Sequence, residues 1–123
     1  MDIYLAHSSS MDFREDFYRP VKESSISDEH SVVFPHEDEG LFDSREFFRE
    51  KCDLVVAEVS EASTGAGIEL GWADEKSVPI LCIHREEGNP SSAIKAVMEN
   101  IVSYSRPEEI PEIIEEKIKE IKI

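Results

Sequence analysis

A chain of 123 residues, 40% of them hydrophobic, has the length of one ordinary domain and can bury most of its apolar side chains. Its 28 acidic against 13 basic residues give a formal charge of −15, which excludes nonspecific binding to nucleic acid or to an anionic membrane; any anionic ligand must be held by local devices. No apolar run approaches the roughly 20 residues of a membrane span, and the opening Met-Asp-Ile-Tyr-Leu-Ala lacks the basic flank of a secretory signal, so the expectation is a single cytoplasmic domain over 1–123.

Ile3 to Ala6 is a short apolar run, followed by Ser8, Ser9 and Ser10 and then by Phe13, Phe17 and Val21 at helical spacing, which predicts a strand, a polar turn and a helix. Ser31 to Phe34 is a second, β-branched run stopped by Pro35, and His36 to Gly40 is too acidic for core. Asp43 or Ser44 can cap a helix carrying Phe47 and Phe48 up to Cys52. Leu54 to Val59 reads as the central strand, because a continuous apolar run implies burial on both faces. A helix from about Gly65 to Lys76 ends before another buried strand, Val78 to Ile83, and a loop from Arg85 to Pro90. Ser91 or Ser92 caps a helix through Ile94, Val97 and Met98, and Ile101 to Tyr104 gives a fifth strand. Pro107 starts a last helix whose Ile110, Ile113, Ile114, Ile118 and Ile121 share one face, with Glu and Lys between them on the solvated side.

Strands alternating with helices at this spacing predict an α/β domain with a five-stranded, mostly parallel sheet and right-handed crossovers. Ligands in such folds bind beyond the carboxyl ends of the strands. That rule selects the loops after Ala6, Phe34, Val59 and Ile83, which hold His7 to Ser10, His36, Ser60 to Gly67, and Arg85 to Ser92.

The stretch 53–73 runs from the central strand through a Ser/Gly turn into a helix that carries Glu69. A carboxylate in the first turns of a helix feels the positive end of the helix dipole, which keeps it ionised and able to act as a nucleophile or base. Tyr4, one strand over, is placed to donate a hydrogen bond to it. Gly65 and Gly67 would let a phosphate or sugar approach the backbone at the helix start. The glycines do not make a dinucleotide fingerprint, since the third would stand where Leu70 is. His7 and His36 sit at strand ends, where a lone histidine is ordinarily just solvated. Ser8 to Ser10 lack the G-x-S-x-G elbow of a serine hydrolase. Cys52 and Cys82 show no metal-ligand spacing and read as reduced thiols, so neither a metal nor a cofactor is expected.

The stretch from Cys52 to Ala73, with Pro79-Ile-Leu-Cys82, resembles the nucleoside 2-deoxyribosyltransferase superfamily and within it the 2′-deoxynucleoside 5′-phosphate N-hydrolases. The resemblance implies a flavodoxin-like three-layer sandwich and a homodimer or higher homo-oligomer with shared active sites. It also implies a glutamate that attacks C1′ of a small-molecule nucleotide or nucleoside. Carried over residue by residue, Glu69 would be the nucleophile and Tyr4 its orienting partner. Ser63 matches a serine that binds the 5′-phosphate, where the nucleoside transferases carry an aspartate. Ser92 matches a second phosphate-binding serine, one supplied by the neighbouring subunit, and His36 matches a histidine at the same strand end. The family's first loop is Gly-rich with an arginine that holds phosphate; here it reads His7-Ser-Ser-Ser-Met-Asp-Phe-Arg14, with Ser8, Ser9 and Ser10 available for part of that cradle. The family's acidic or amide position eight residues before Asp53 is Arg45 here, with Asp43 and Glu46 nearby.

The leading expectation is therefore an N-glycosidase of (2′-deoxy)nucleoside 5′-monophosphates that works through a glycosyl-Glu69 intermediate. Three rivals stand beside it. One is base exchange between unphosphorylated deoxynucleosides. Another is a TIR-like NAD glycohydrolase, suggested by Ile3-Tyr-Leu-Ala-His-Ser-Ser. The third is a nucleotide-binding module that has lost catalysis, suggested by the first loop and Arg45.

Overall fold

The computed structural model describes residues 1–37, 44–98 and 101–122. Five strands, β1 (Asp2–His7), β2 (Ser31–Val33), β3 (Leu54–Glu58), β4 (Ile80–Arg85) and β5 (Ile101–Tyr104), form one sheet in the order β2-β1-β3-β4-β5. Every neighbouring pair is parallel, so the expected mostly parallel sheet is wholly so. The chain runs outward from β1 to β2, then returns to the other side of β1 with β3. The topological switch point, and the crevice it opens, therefore lies between the carboxyl ends of β1 and β3.

Alternation along the strands sorts side chains into two cores. Ile3 and Leu5 of β1 and Leu54 and Val56 of β3 face Phe17, Tyr18 and Val21 on one side, together with Ile110, Ile114 and Ile118 of α6 (Ile110–Lys122). Tyr4, Ala6, Val55 and Ala57 face the other side, against Phe48 of α3 (Ser44–Glu50) and Leu70 and Ala73 of α4 (Thr64–Glu75). The result is the flavodoxin-like three-layer sandwich. All of β3 is buried, and each of its large side chains contributes roughly 1.5–3 kcal/mol by leaving water.

The structure corrects two expected elements. The first helix is split into a π-helical turn (Arg14–Tyr18), α1 (Arg19–Lys22) and a separate turn α2 (Ile26–Glu29). Pro20 has no N–H to continue an α-helical ladder through that point, and the backbone widens before it, with the Arg19 N–H reaching Arg14 O. The strand expected at Val78 to Ile83 begins at Ile80 and continues to Arg85. Val78 is taken by the end of α4: its N–H bonds Ala73 O while the Ser77 N–H bonds Asp74 O, a Schellman closure with Ser77 at φ 59°. At the other end, register with β5 carries the strand through His84 and Arg85, opposite Ser103 and Tyr104. Of the two serines expected to cap α5 (Ser92–Val97), it is Ser91 that does so, accepting from the Ile94 N–H at 3.3 Å. The Asp43 cap and most of the acidic segment 36–40 lie outside the described residues.

Candidate functional site

Tyr4 points from β1 into the α3/α4 core, where it is 2% exposed, with Phe48 edge-on at 4.8 Å and Phe47 at 6.0 Å between ring centroids. The ring is thus fixed on both sides, and its hydroxyl donates to Glu69 Oε2. Tyr4 is at once a core residue and a partner for the carboxylate. Glu69 is half-buried and is the sixth residue of α4, past the first turn to which the dipole effect is confined. The tyrosine hydroxyl is thus a closer influence on it than the helix start that the sequence suggested.

Helical rotation divides α4 into two flanks. Glu69 shares one with Gly65 and Trp72. Gly67 and Gly71 lie on the other, where with Ala66, Leu70, Ile94 and Met98 they wall an apolar cavity of about 340 Å³ between α4 and α5. Neither Tyr4 nor Glu69 lines that cavity. An added Cβ at Gly65, Gly67 or Gly71 would meet nothing within 4 Å, so the expected open surface is real, but Gly67 is not on the side of Glu69. Ser63 caps α4, accepting from the Ala66 N–H at 3.3 Å, and also lines the cavity mouth with Glu61.

The loop after β1 turns the other way. His7 is 5% exposed, its ring stacked on Phe13 at 4.4 Å. The His36 N–H donates to Tyr18 Oη at 3.3 Å, leaving the Tyr18 hydroxyl to donate to His7 Nε2 at 2.6 Å and His7 Nδ1–H to donate to Ser8 O at 2.9 Å. This arrangement suits a neutral imidazole protonated on Nδ1. Burial, with His36 and Arg14 adding repulsion against the Ser8 carbonyl, lowers its pKa to about 4. His7 is thus not the solvated histidine expected from the sequence. His36 is exposed, with its ring 5.0 Å from that of His7. Arg14 reaches the same cluster, its guanidinium 4.6 Å over the Phe13 ring and 3.4 Å from His36 O. Tyr18 is pushed above the usual tyrosine range by burial first, against the His36 N–H it accepts, with the Glu37 carboxylate adding to the rise.

Sequence reasoning missed Glu58. It is the one charged residue in the run Leu54 to Val59, and it is 2% exposed at the end of β3, in register with His7. Oε1 accepts the Ser60 N–H at 2.6 Å; Oε2 accepts Ser60 Oγ at 2.9 Å and the Tyr104 hydroxyl, with Arg85 Nη1 at 3.8 Å. Ser60 Oγ also accepts the Arg85 N–H at 2.8 Å, and its carbonyl accepts the Asn89 N–H at 2.9 Å. Gly88 permits this approach of the β3 and β4 loops, since a Cβ there would stand 3.0 Å from Arg85 O and from Ser60. A carboxylate inside an apolar run was the available signal.

Ser8 is buried and shares a 2.7 Å bond with Ser10, which donates to Glu61 at 2.5 Å; Ser9 and Ser10 are exposed. Ser92, the first residue of α5, is exposed and does not line the cavity that its neighbour Ser91 lines. Glu46 is exposed on α3, whereas Asp43 and the side chain of Arg45 lie outside the described residues. Cys82 is buried and Cys52 half-buried, both free thiols whose pKa burial raises to about 11.

A parallel sheet in 2-1-3-4-5 order, with a tyrosine on β1 bonded to a glutamate on the helix after β3, defines the setting for comparison with known proteins. No family model matches the chain. It is 35% identical over 68 residues to a candidate 2′-deoxynucleoside 5′-phosphate N-hydrolase 1 of Methanosarcina mazei, a match covering 53% of this chain and 42% of the relative. A protein of the same name from Nematostella vectensis is 37% identical over 67 residues, covering 50% of this chain and 46% of that one. The chain thus spans less than half the length of the curated relatives it matches. Among solved structures, the CMP N-glycosidase of Clostridium botulinum is similar over 94% of this chain and 99% of its own, with a TM-score of 0.65 and 19% identity, a likeness of fold.

No described helix is long and apolar enough to cross a membrane.

Proposed function

We propose that this protein is an N-glycosidase that hydrolyses the bond between base and sugar of (2′-deoxy)nucleoside 5′-monophosphates. The observation that carries the reading is the Tyr4 hydroxyl bonded to the half-buried Glu69 carboxylate beside the switch-point crevice. A carboxylate so oriented suits attack at C1′ through an oxocarbenium-like transition state, as in a retaining glycosidase. The C1′–N bond breaks with its electron pair passing to the base, and a bond forms between C1′ and a Glu69 oxygen. Water then attacks C1′, giving hydroxyl to the sugar and a proton to the released base, and Glu69 leaves as carboxylate. Tyr4 holds Oε2 through both steps.

In this reading Ser8, Ser9, Ser10 and Ser63 contact the phosphate, Gly65 and Gly67 keep the α4 surface clear, and His36 lies over the base end. Ser92 serves a neighbouring copy in a homodimer or higher homo-oligomer. Its exposure away from the cavity supports that role, as does Ile68, a 49% exposed isoleucine next to Glu69. Residues 1–123 then form one domain without cofactor, and free Cys52 and Cys82 favour a cytoplasmic location.

The test is base release from a panel of nucleoside and deoxynucleoside monophosphates, nucleosides and NAD, measured chromatographically. The parent should release base from monophosphates, and Glu69→Gln, folded by circular dichroism, should be at least about a thousandfold slower. Equal rates would overturn the mechanism; exclusive action on nucleosides with a second base supplied, or on NAD, would replace it with one of its rivals.

A further inference from the structure

Glu61 is exposed, yet it is seated. Its Oε2 accepts the Ser10 hydroxyl at 2.5 Å and Oε1 lies 3.6 Å from Arg85 Nη2. Ser10 in turn shares 2.7 Å with Ser8 Oγ, and the Ser10 N–H donates to the same oxygen at 3.1 Å. The loop after β1 thus presents its hydroxyls to a carboxylate arriving from the loop after β3, across the switch-point crevice. Two residues beyond Glu61, Ser63 opens α4, and helix geometry leaves the N–H groups of Thr64 and Gly65 without partners inside the helix. Hydroxyls and first-turn N–H groups are what the oxygens of a phosphate monoester require. Glu61 already meets part of that demand with a negative charge of its own.

Two anions cannot share the seat, because like charges brought together in a crevice repel strongly. Arg85 offers Glu61 somewhere to go. Its guanidinium stands at 3.6–3.8 Å from Glu58, Glu61 and Glu87, within ion-pair range of each. We propose that Glu61 is a specificity-determining residue: in the empty site its carboxylate occupies the phosphate seat on Ser10, and a 5′-phosphate binds only by displacing it toward Arg85. Position 61 then sets how strongly the site prefers phosphorylated over unphosphorylated substrate. The substrate side of this inference rests on the N-glycosidase reading; the anion seat itself does not.

Calorimetry with inorganic phosphate on the parent and on Glu61→Gln tests the seat without any catalysis. The exposed position makes a folding defect easy to exclude by thermal melting. Glu61→Gln should bind phosphate about tenfold more tightly, and Ser10→Ala in that background should lose the gain. In activity assays the ratio of kcat/KM for a nucleoside monophosphate over that for the matching nucleoside should rise about tenfold, through the monophosphate. Phosphate affinity that stays level or falls in Glu61→Gln, or phosphate that binds neither protein at millimolar concentration, overturns the proposal. So does an equal rise for nucleoside and monophosphate. Tighter phosphate binding without cleavage of any nucleotide by either protein would instead sink the N-glycosidase reading and leave the seat standing.

Discussion

Two carboxylates, each hydrogen-bonded by a tyrosine hydroxyl, sit near the carboxyl end of the sheet on opposite faces of it. Glu58 faces the α1/α6 core with Tyr104, in register with a buried neutral His7, and both of its oxygens accept hydrogen bonds. Glu69 stands on the α3/α4 side with Tyr4 and remains half-open. The same pair of residue types therefore does two things. Where water is excluded and the donors come from the β3 loop and the ends of β4 and β5, the carboxylate ties strands together, and losing it strands several buried groups. Where a helix lifts the carboxylate to the rim, the Tyr4 hydroxyl orients it while it stays half-exposed. Exposure, and not residue identity, separates the structural acid from the proposed nucleophile.

The largest effect that would sharpen this contrast is the thousandfold loss proposed for Glu69→Gln, which should come with a change in unfolding free energy below about 1 kcal/mol. Glu58→Ala should behave in the opposite sense: urea titration should show a loss of about 3 kcal/mol, because Ser60 and the Tyr104 hydroxyl keep their burial and lose their acceptor. A Glu58 variant as stable as the parent would collapse the distinction. On the same sealed face, His7 carries a pH signature. Its folded pKa of about 4 lies below the ordinary 6.5. The folded state thus binds the proton less readily than the unfolded chain, so this contribution is complete above pH 6.5, is lost as pH falls from 6.5 toward 4, and is gone below that. By pH 5 the loss should be about 2 kcal/mol. Urea midpoints at pH 7 and pH 5 for the parent and for His7→Gln check it, and identical shifts in the two proteins would contradict a buried neutral His7. The smallest effect belongs to Tyr4→Phe, which keeps the ring between Phe47 and Phe48 and removes only the hydroxyl. Base release should fall about tenfold, with little change in melting temperature.

The sheet, its order of elements and the amphipathic last helix were legible because they rest on local periodicity: Ile110, Ile114 and Ile118 bury just the face their spacing marks out. The pairing of Tyr4 with Glu69 was legible for a related reason, since a parallel α/β order places β1 beside β3 and its following helix. What could not be read depends on side chains meeting across long sequence separations. Glu58 finds Tyr104 and Arg85 only once β3, β4 and β5 are in register, and His7 is sealed only by the return of Phe13 and Tyr18 over it. Boundaries shifted where a backbone group had a competing partner, as Val78 did at the end of α4. The serine pair at 91 and 92 shows the limit most plainly: either residue could cap α5, and only the backbone, extended at Ser91 with φ −62° and ψ 152°, decides which one does.

The three glycines of α4 also bear on the order in which the molecule assembles. Each costs a helix interior about 1 kcal/mol relative to alanine, so the twelve residues Thr64–Glu75 are poor at nucleating a helix by themselves. Their regularity is conferred from beneath, by docking Ala66, Leu70 and Ala73 against strands that must already be paired. In kinetic terms this predicts that α4 forms late, with Glu69 reaching Tyr4 after the central strands have found their register.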